Sequence, residues 1–349
     1  MFDKNLKHYR LMNAYSKKQL AEMIGVTSMA ISHYENGDRM PDMEMIKKIA
    51  IALDVKVSDL LSSRKKNLDI VHNEFRKNSA LTKTAEEYVQ SCAEEYLNRF
   101  AIIIEVLGDS VLPKVPAVKA LNVIGQVETD AQNLRKHLDF SESGPIEKLI
   151  GQLENKGFLL YLVDIQNDKF SGINGTLNDR PYIMVNKHMN AERIRSTIIH
   201  ELAHIMFNWE TVSWSDQEIE QYATAISGAF LFPKEDAFRE LGPRRSAVSR
   251  DMIYIAQEFG ISMMMLVTRA QKLGIITNGA AKSFFINASR WGWKKNEPSR
   301  IDAESSFLFQ QLVYRAVNEE EISVSRGAEL LKIPYQSVLR NCSIMEEDE

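Results

Sequence analysis

Two histidines four residues apart, with a glutamate between them, are the residues of this sequence best suited to chemistry: His200, Glu201, Leu202, Ala203, His204. On a helix, positions i and i+4 share a face, so both imidazoles can reach one metal ion. Glu201 lies about 100° round the helix from His200, beside a water on the ion rather than on the ion itself. Zinc lowers the pKa of such a water to about 7, and a neighbouring carboxylate can take its proton as it attacks a carbonyl. A catalytic zinc needs a third protein ligand, and Glu210, Asp216, Glu218 and Glu220 all follow within reach. Glu220 is favoured by its context. Ala223, Thr224 and Ser227 follow it at i+3, i+4 and i+7, a stripe of small side chains that lets this helix lie close against the histidine helix. The bland alternative is a pair of core histidines, against which Glu201 and Glu220 together argue. The expected set is therefore Zn2+ on His200, His204 and Glu220, with Glu201 as the catalytic base.

The elements that must position these groups are legible from periodicity. Ile194, Ile198, Ile199, Leu202 and Ile205 repeat at helical spacing after the cap residue Asn190. Three strand-like runs precede them, 158–165, 170–175 and 182–185, separated by Asn, Asp and Gly. The segment from Glu220 to Pro233 resembles the second signature of the ImmA/IrrE metallopeptidases, in which Glu, then Ala three residues on, then a Leu-Leu-Met-Pro-like end follow the His-Glu-x-x-His helix. Thr224 and Ile226 replace that family's Asn and Phe, and Ser227 with Gly228 replaces its small pair. Residues 131–138, 144–150 and 153–157 resemble the family's entry helices, so the likeness spans about residues 128–235. It implies a zincin-like metallopeptidase domain with a small three-stranded sheet, a prokaryotic or phage cytoplasm, and a repressor as protein substrate. Tyr182, His188 and Tyr222 are candidates for stabilising an oxyanion by residue type alone. His8, His33, His72, His137 and His188 show no ligand spacing and are expected at the surface.

The first 62 residues read as five short helices with tight turns. Ser16 caps a segment carrying Leu20, Ala21 and Ile24; Gly25 ends it, Thr27 caps the next, and Gly37 ends that. Ser16 to Gly37 resembles the helix-turn-helix of the phage-repressor (Xre/Cro) family, with Ile31 and Tyr34 meeting the first helix and Gly25 supplying the left-handed turn. The likeness implies DNA binding, with Thr27, Ser28, Met29, Ser32 and His33 toward the major groove and Lys17 on a phosphate. That family often has Gln where this chain has Lys17 and Ser28, so a bidentate adenine reader is missing. Charge agrees: residues 1–66 hold 12 Lys and Arg against 8 Asp and Glu, whereas the whole chain carries −4.

With 349 residues, 44% hydrophobic and 26% charged, the chain has the composition of a globular protein of two or three domains. Its two cysteines, Cys92 and Cys342, fit a reducing cytoplasm rather than a disulfide scaffold. No apolar run reaches the ~18 residues of a membrane span, and no signal-peptide core opens the chain. Asp251 to Gly274 resembles a further helix-turn-helix turning at Gly260, in which Met263, Met264 and Met265 are expected in the core more than on a peptide-binding stripe. Amphipathic helices are expected at 304–317 and 324–331, before an acidic tail, Glu346 to Glu349.

The fold expected is mainly α (α+β): a helix-turn-helix domain at 1–66, a helical linker at 67–127, a metallopeptidase domain at 128–240 and a helical, helix-turn-helix-like region at 241–349. Two readings of function follow. In the first, a DNA-binding regulator, dimeric on its operator, carries a zinc endopeptidase that cleaves a repressor-type protein, with self-cleavage near Arg64 to Asn67 as a variant. In the second, the chain is an antitoxin-like autoregulatory protein that covers a toxin partner, its zinc latent or structural.

Overall fold

The computed structural model describes residues 2–62, 68–72 and 81–343. Along the chain come α1 (Phe2–Met12), α2 (Lys17–Ile24), α3 (Ser28–Asn36), α4 (Met43–Leu53), α5 (Val57–Leu61), β1 (Ile70–His72) and the long α6 (Lys83–Leu107). Then follow β2 (Leu121–Asn122), α7 (Val127–His137), α8 (Leu149–Glu154), β3 (Leu159–Val163), β4 (Gly172–Leu177), β5 (Arg180–Asn186), α9 (Ala191–Met206), β6 (Phe207–Asn208), α10 (Asp216–Leu231) and α11 (Lys234–Leu241). Next are α12 (Met252–Phe259), α13 (Met263–Lys272), α14 (Asn278–Arg290) and α15 (Trp293–Asn296), and finally α16 (Leu308–Asn318), α17 (Val324–Leu331) and α18 (Tyr335–Asn341). The chain is mainly helical with a small mixed sheet, as its periodicity predicts. Arg64 to Asn67, and the acidic tail from Glu346, lie outside the described residues.

Two compact units divide the chain. One draws on Met1–Ile70, Ala80–Val111 and Gln310–Glu349, the other on Val71–Ser79 and Leu112–Phe309. In the first, local signals set the helix ends. Ser16 closes a capping box with Gln19, Gly25 turns the chain at φ 74°, and Thr27 accepts from the backbone of Ala30 to start α3. Leu6, Leu20, Ile31, Ile49 and Leu60, fully buried, form the bundle's core. Beneath them Arg10 forms a two-pronged ion pair with Glu35, both side chains almost wholly buried. α1 packs on α6. His8, expected at the surface, is instead buried there at 5% exposure, its Nδ1 3.2 Å from Ser91 Oγ. An isolated histidine carries no sequence signal of the helix that will cover it.

In the second unit the sheet runs β1-β4-β5-β3, with β4 antiparallel and β3 parallel to β5. The three expected strands are present, and β1 adds a fourth on the β4 edge. Gly175 admits it: a Cβ there would stand 2.1 Å from the Val71 carbonyl oxygen. α9 lies on β4 and β5 and against α10. Ile198, Ile199 and Leu202 are fully buried on its core face, each contributing roughly 1.5–3 kcal/mol of burial. Ser227 Oγ donates to the Ser196 carbonyl at 2.8 Å, tying α10 to α9 where Ala223 and Ser227 keep the side chains small. Gly228 serves a different neighbour, Arg269 of α13, whose Cδ would be 3.1 Å from a Cβ. Met263 is core, with Met264 and Met265 packed against it, so these three make no open stripe.

Candidate metal centre and nucleic-acid interface

Helical spacing puts His200 and His204 on one face of α9, and α10 brings Glu220 to them. His200 Nε2 lies 3.1 Å from Glu220 Oε2, His204 Nε2 lies 3.2 Å from Glu220 Oε1, and the two Nε2 atoms are 3.1 Å apart. Bonds of 2.0–2.1 Å to a tetrahedral zinc would separate neighbouring donors by about 3.3 Å. The three groups therefore stand close to three corners of such a tetrahedron, and the donor set fits the ion. Among the described residues these are the His and acidic groups close enough to share a metal. Glu218 instead caps α10 through Ser215, which holds its carboxyl below the usual range.

The hydrogen bonds around the cluster prepare it. Burial opposes ionisation of Glu220, but hydrogen bonds and charge from His200 and His204 prevail and keep its carboxyl far below the ordinary carboxylate range. Thr224 Oγ1 donates to the Glu220 carbonyl at 2.9 Å, so toward His200 Nδ1, 3.2 Å away, it presents a lone pair. With a metal bound, that arrangement favours the tautomer with hydrogen on Nδ1, whose bare Nε2 can ligate the ion. Glu201 stays outside the cluster. Its Oε2 accepts from Asn174 Nδ2 of β4 at 2.7 Å, and its Oε1 passes over Gly172, where a Cβ would come within 3.3 Å. Asn174 is 4% exposed, a buried amide spent on orienting one carboxylate. Trp209 walls the other side, its ring 5.7 Å from that of His204, and Tyr222 follows at 6.4 Å from Trp209.

The three oxyanion candidates have other partners. The Tyr222 hydroxyl donates to Asp130 Oδ2 at 2.6 Å; burial and then Asp130 push its phenol up. Tyr182 OH lies 2.5 Å from His72 Nδ1, and His188 meets Asp164 and Gln166. Asn174 is not among the residues singled out from sequence, and Thr224 is named there only as a small residue of the stripe and in place of the family's Asn, not as a partner of His200. Asn174 had one faint signal, a polar amide in a run of glycines and apolar residues that reads as a buried strand.

In the N-terminal bundle α3 presents Thr27, Ser28, Met29 and His33 outward, Met29 at 66% exposure. Ser32 is half-buried and accepts from Lys17 Nζ at 3.0 Å, while the same ammonium stands 3.7 Å from Glu35. His33 pairs with Asp38 at 3.0 Å.

Comparison with known proteins agrees with both halves. Residues 6–60 match the helix-turn-helix family and residues 161–271 the IrrE N-terminal-like domain. This chain joins an Xre-type helix-turn-helix domain to an IrrE N-terminal-like domain. It is 30% identical over 70 residues to an SPbeta prophage-derived uncharacterized HTH-type transcriptional regulator, YonR of Bacillus subtilis (strain 168), covering 20% of this chain and 65% of the relative. It is 32% identical over 77 residues to an uncharacterized HTH-type transcriptional regulator, YqaE of the same strain, covering 22% of this chain and 66% of the relative. The chain thus spans just under two thirds of these curated relatives. His200, His204 and Glu220 all fall inside the IrrE-like match, and α2 and α3 inside the helix-turn-helix match. Among the described residues no helix is long and apolar enough to cross a membrane.

Proposed function

We propose that this chain is a DNA-binding regulator whose IrrE-like domain is a zinc-dependent endopeptidase acting on a repressor-type protein. The observation that carries this reading is the meeting of His200, His204 and Glu220 at 3.1–3.2 Å beside a glutamate, Glu201, that is kept off the cluster and held by Asn174. Zinc on the three ligands would supply Lewis acidity to the attacking water and the scissile carbonyl. Glu201 takes the proton of that water and returns it to the departing amine. Asn174 fixes one of its oxygens, leaving the other to carry the proton. Thr224 holds the His200 ring in its ligating tautomer.

A zinc kept only for structure has no use for such a base, which favours hydrolysis over toxin covering. In this reading residues 1–66 bind operator DNA through Thr27, Ser28, Met29, Ser32 and His33, with Lys17 near the backbone, and the chain acts as a homodimer because one helix-turn-helix reads half of a palindrome. The catalysis belongs to residues 128–240. The test is a substrate trap: tagged wild type and Glu201→Gln are expressed in the native host, and co-purifying proteins are weighed by intact mass. A repressor held whole by Glu201→Gln and found as defined fragments with wild type is expected, with equal zinc in both preparations. A partner recovered intact and in equal amount with both would refute the endopeptidase.

A further inference from the structure

A second segment of the first unit repeats the geometry of α2 and α3 position by position. Ser16 caps α2 by accepting the backbone N–H of Gln19, and Ser323 caps α17 by accepting that of Arg326. Five residues past each cap stands an alanine, Ala21 or Ala328, and nine past it a left-handed residue, Gly25 at φ 74° or Lys332 at φ 56°. The next residue, Val26 or Ile333, returns its N–H to that alanine's carbonyl at 3.0 or 3.2 Å. The following helix begins at Ser28 or Tyr335 and drives Ile31 or Val338 into the core, each fully buried. α16 completes a three-helix unit. Gly327 lets α17 press on both neighbours, since a Cβ there would come within 2.9 Å of Val317 on α16 and 3.4 Å of Val338 on α18.

α12 and α13 share this turn, through Ala256, Gly260 at φ 61° and the buried Leu266. There the outer positions are consumed: Met263 and Val267, which correspond to Ser28 and Ser32, are 2% and 0% exposed. α18 keeps its outer face open. The residues that correspond to Ser28, Met29, Ser32 and His33 are Tyr335, Gln336, Leu339 and Arg340, all exposed, Tyr335 and Leu339 at 46%.

We infer that α18 is a second DNA-reading helix, presenting Gln336 and Arg340 to duplex DNA. Gln and Arg are the side chains that read adenine and guanine edges bidentately in the major groove, and here they stand one helical turn apart on one face. Between two acidic runs, Glu319–Glu321 and Glu346–Glu349, the segment from Ser323 to Ser343 carries Arg326, Lys332 and Arg340 against Glu329, so the case for DNA rests on the exposed readers of α18 rather than on net charge. Arg326 pairs with Glu329 and Lys332 with Glu95, whereas among the described residues Arg340 has no ion-pair partner. Tyr335 and Leu339 flank the two readers with apolar surface of the kind that meets a thymine methyl.

The experiment uses the full chain. Duplexes of about 40 base pairs are selected from a random pool by wild type, by the double variant Gln336→Ala/Arg340→Ala, and by the double variant Ser28→Glu/Met29→Glu, and affinity is followed by anisotropy across a salt series. The α18 variant is expected to lose roughly tenfold in affinity, to lose one selected base patch, and to show a salt slope smaller by about 1. A benzophenone amino acid at position 335 is expected to crosslink to the selected duplex. If the α18 variant selects the same sites with the same affinity and slope, and position 335 fails to crosslink while position 29 does, α18 is overturned and α3 alone reads DNA. If wild type binds no duplex, the DNA-binding reading of α3 falls as well. Since Gln336 and Arg340 are exposed, their removal leaves the thermal melting of the chain unchanged; a melt that drops would itself place them in packing and overturn the inference.

Discussion

Replacing Thr224 by valine keeps the shape of the side chain and removes the hydroxyl oxygen that faces His200 Nδ1. The Thr224 hydroxyl gives its proton to the Glu220 carbonyl at 2.9 Å, so it offers the imidazole a lone pair at 3.2 Å. That acceptor favours hydrogen on Nδ1. A neutral hydrogen bond is worth about 0.5–1.5 kcal/mol net, and removing a partner of a metal-bound histidine weakens a site about 10–100-fold. Thr224 is exposed, so water can partly take the place of its hydroxyl, and the loss belongs at the low end. About 1 kcal/mol corresponds to a roughly fivefold weaker zinc affinity. Competition against a chromophoric chelator at neutral pH reads this without knowledge of the substrate. Thr224→Val is expected to bind zinc about five- to tenfold more weakly, and Thr224→Ser, which restores the oxygen, within about twofold of wild type. A valine variant with wild-type affinity and an unchanged circular dichroism spectrum would refute the orienting role.

Other perturbations separate the remaining parts. Asn174→Ala is expected to leave zinc content unchanged while lowering kcat on the trapped substrate about 10–100-fold, because Glu201 loses a charge-assisted bond worth roughly 1.5–3 kcal/mol; loss of zinc would instead make Asn174 part of the ligand shell. Glu95 titrates low: burial pushes its carboxyl up, but Arg99 and then Lys332 outweigh it and bring it from 4.5 to about 2. A depressed carboxylate stabilises the fold above its ordinary value and loses that contribution as pH falls through the folded one. Wild type should therefore exceed Glu95→Gln by on the order of 3 kcal/mol above pH 5 in urea unfolding, with the gap closing by about pH 2; a gap independent of pH would count against the ion pairs. Glu35→Ala strands the buried Arg10 and is expected to destabilise the N-terminal bundle by about 3–5 kcal/mol in thermal melts; a change below about 1 kcal/mol would show that Arg10 finds water.

What could be read from sequence was what helical and strand periods encode locally. His200, Glu201 and His204 are neighbours on one helix, so their joint geometry follows from 3.6 residues per turn. Glu220 was reachable because the small residues after it, Ala223 and Ser227, disclose a close helix contact that the structure contains. The roles of Asn174 and Thr224 were not reachable, since each acts on a neighbouring element through side-chain hydrogen bonding that leaves no period. β1 was missed because three residues are too few to alternate. The repeat at Ser323 was passed over as one more amphipathic helix, because lysine in place of glycine at the left-handed position hides the turn.

β1 also bears on how the IrrE-like domain can be handled in isolation. A fragment that starts at residue 112 or later contains β3, β4, β5, α9 and α10 and every proposed ligand, yet it lacks the strand that covers β4. Its β4 would then offer a row of bare N–H and C=O groups, a template on which another copy can add as a strand. Such a fragment should stick to itself, and an inactive aggregate made that way would say nothing about the catalytic groups. A fragment that begins ahead of Ile70 carries its own edge cover and stays suited to assays at high concentration.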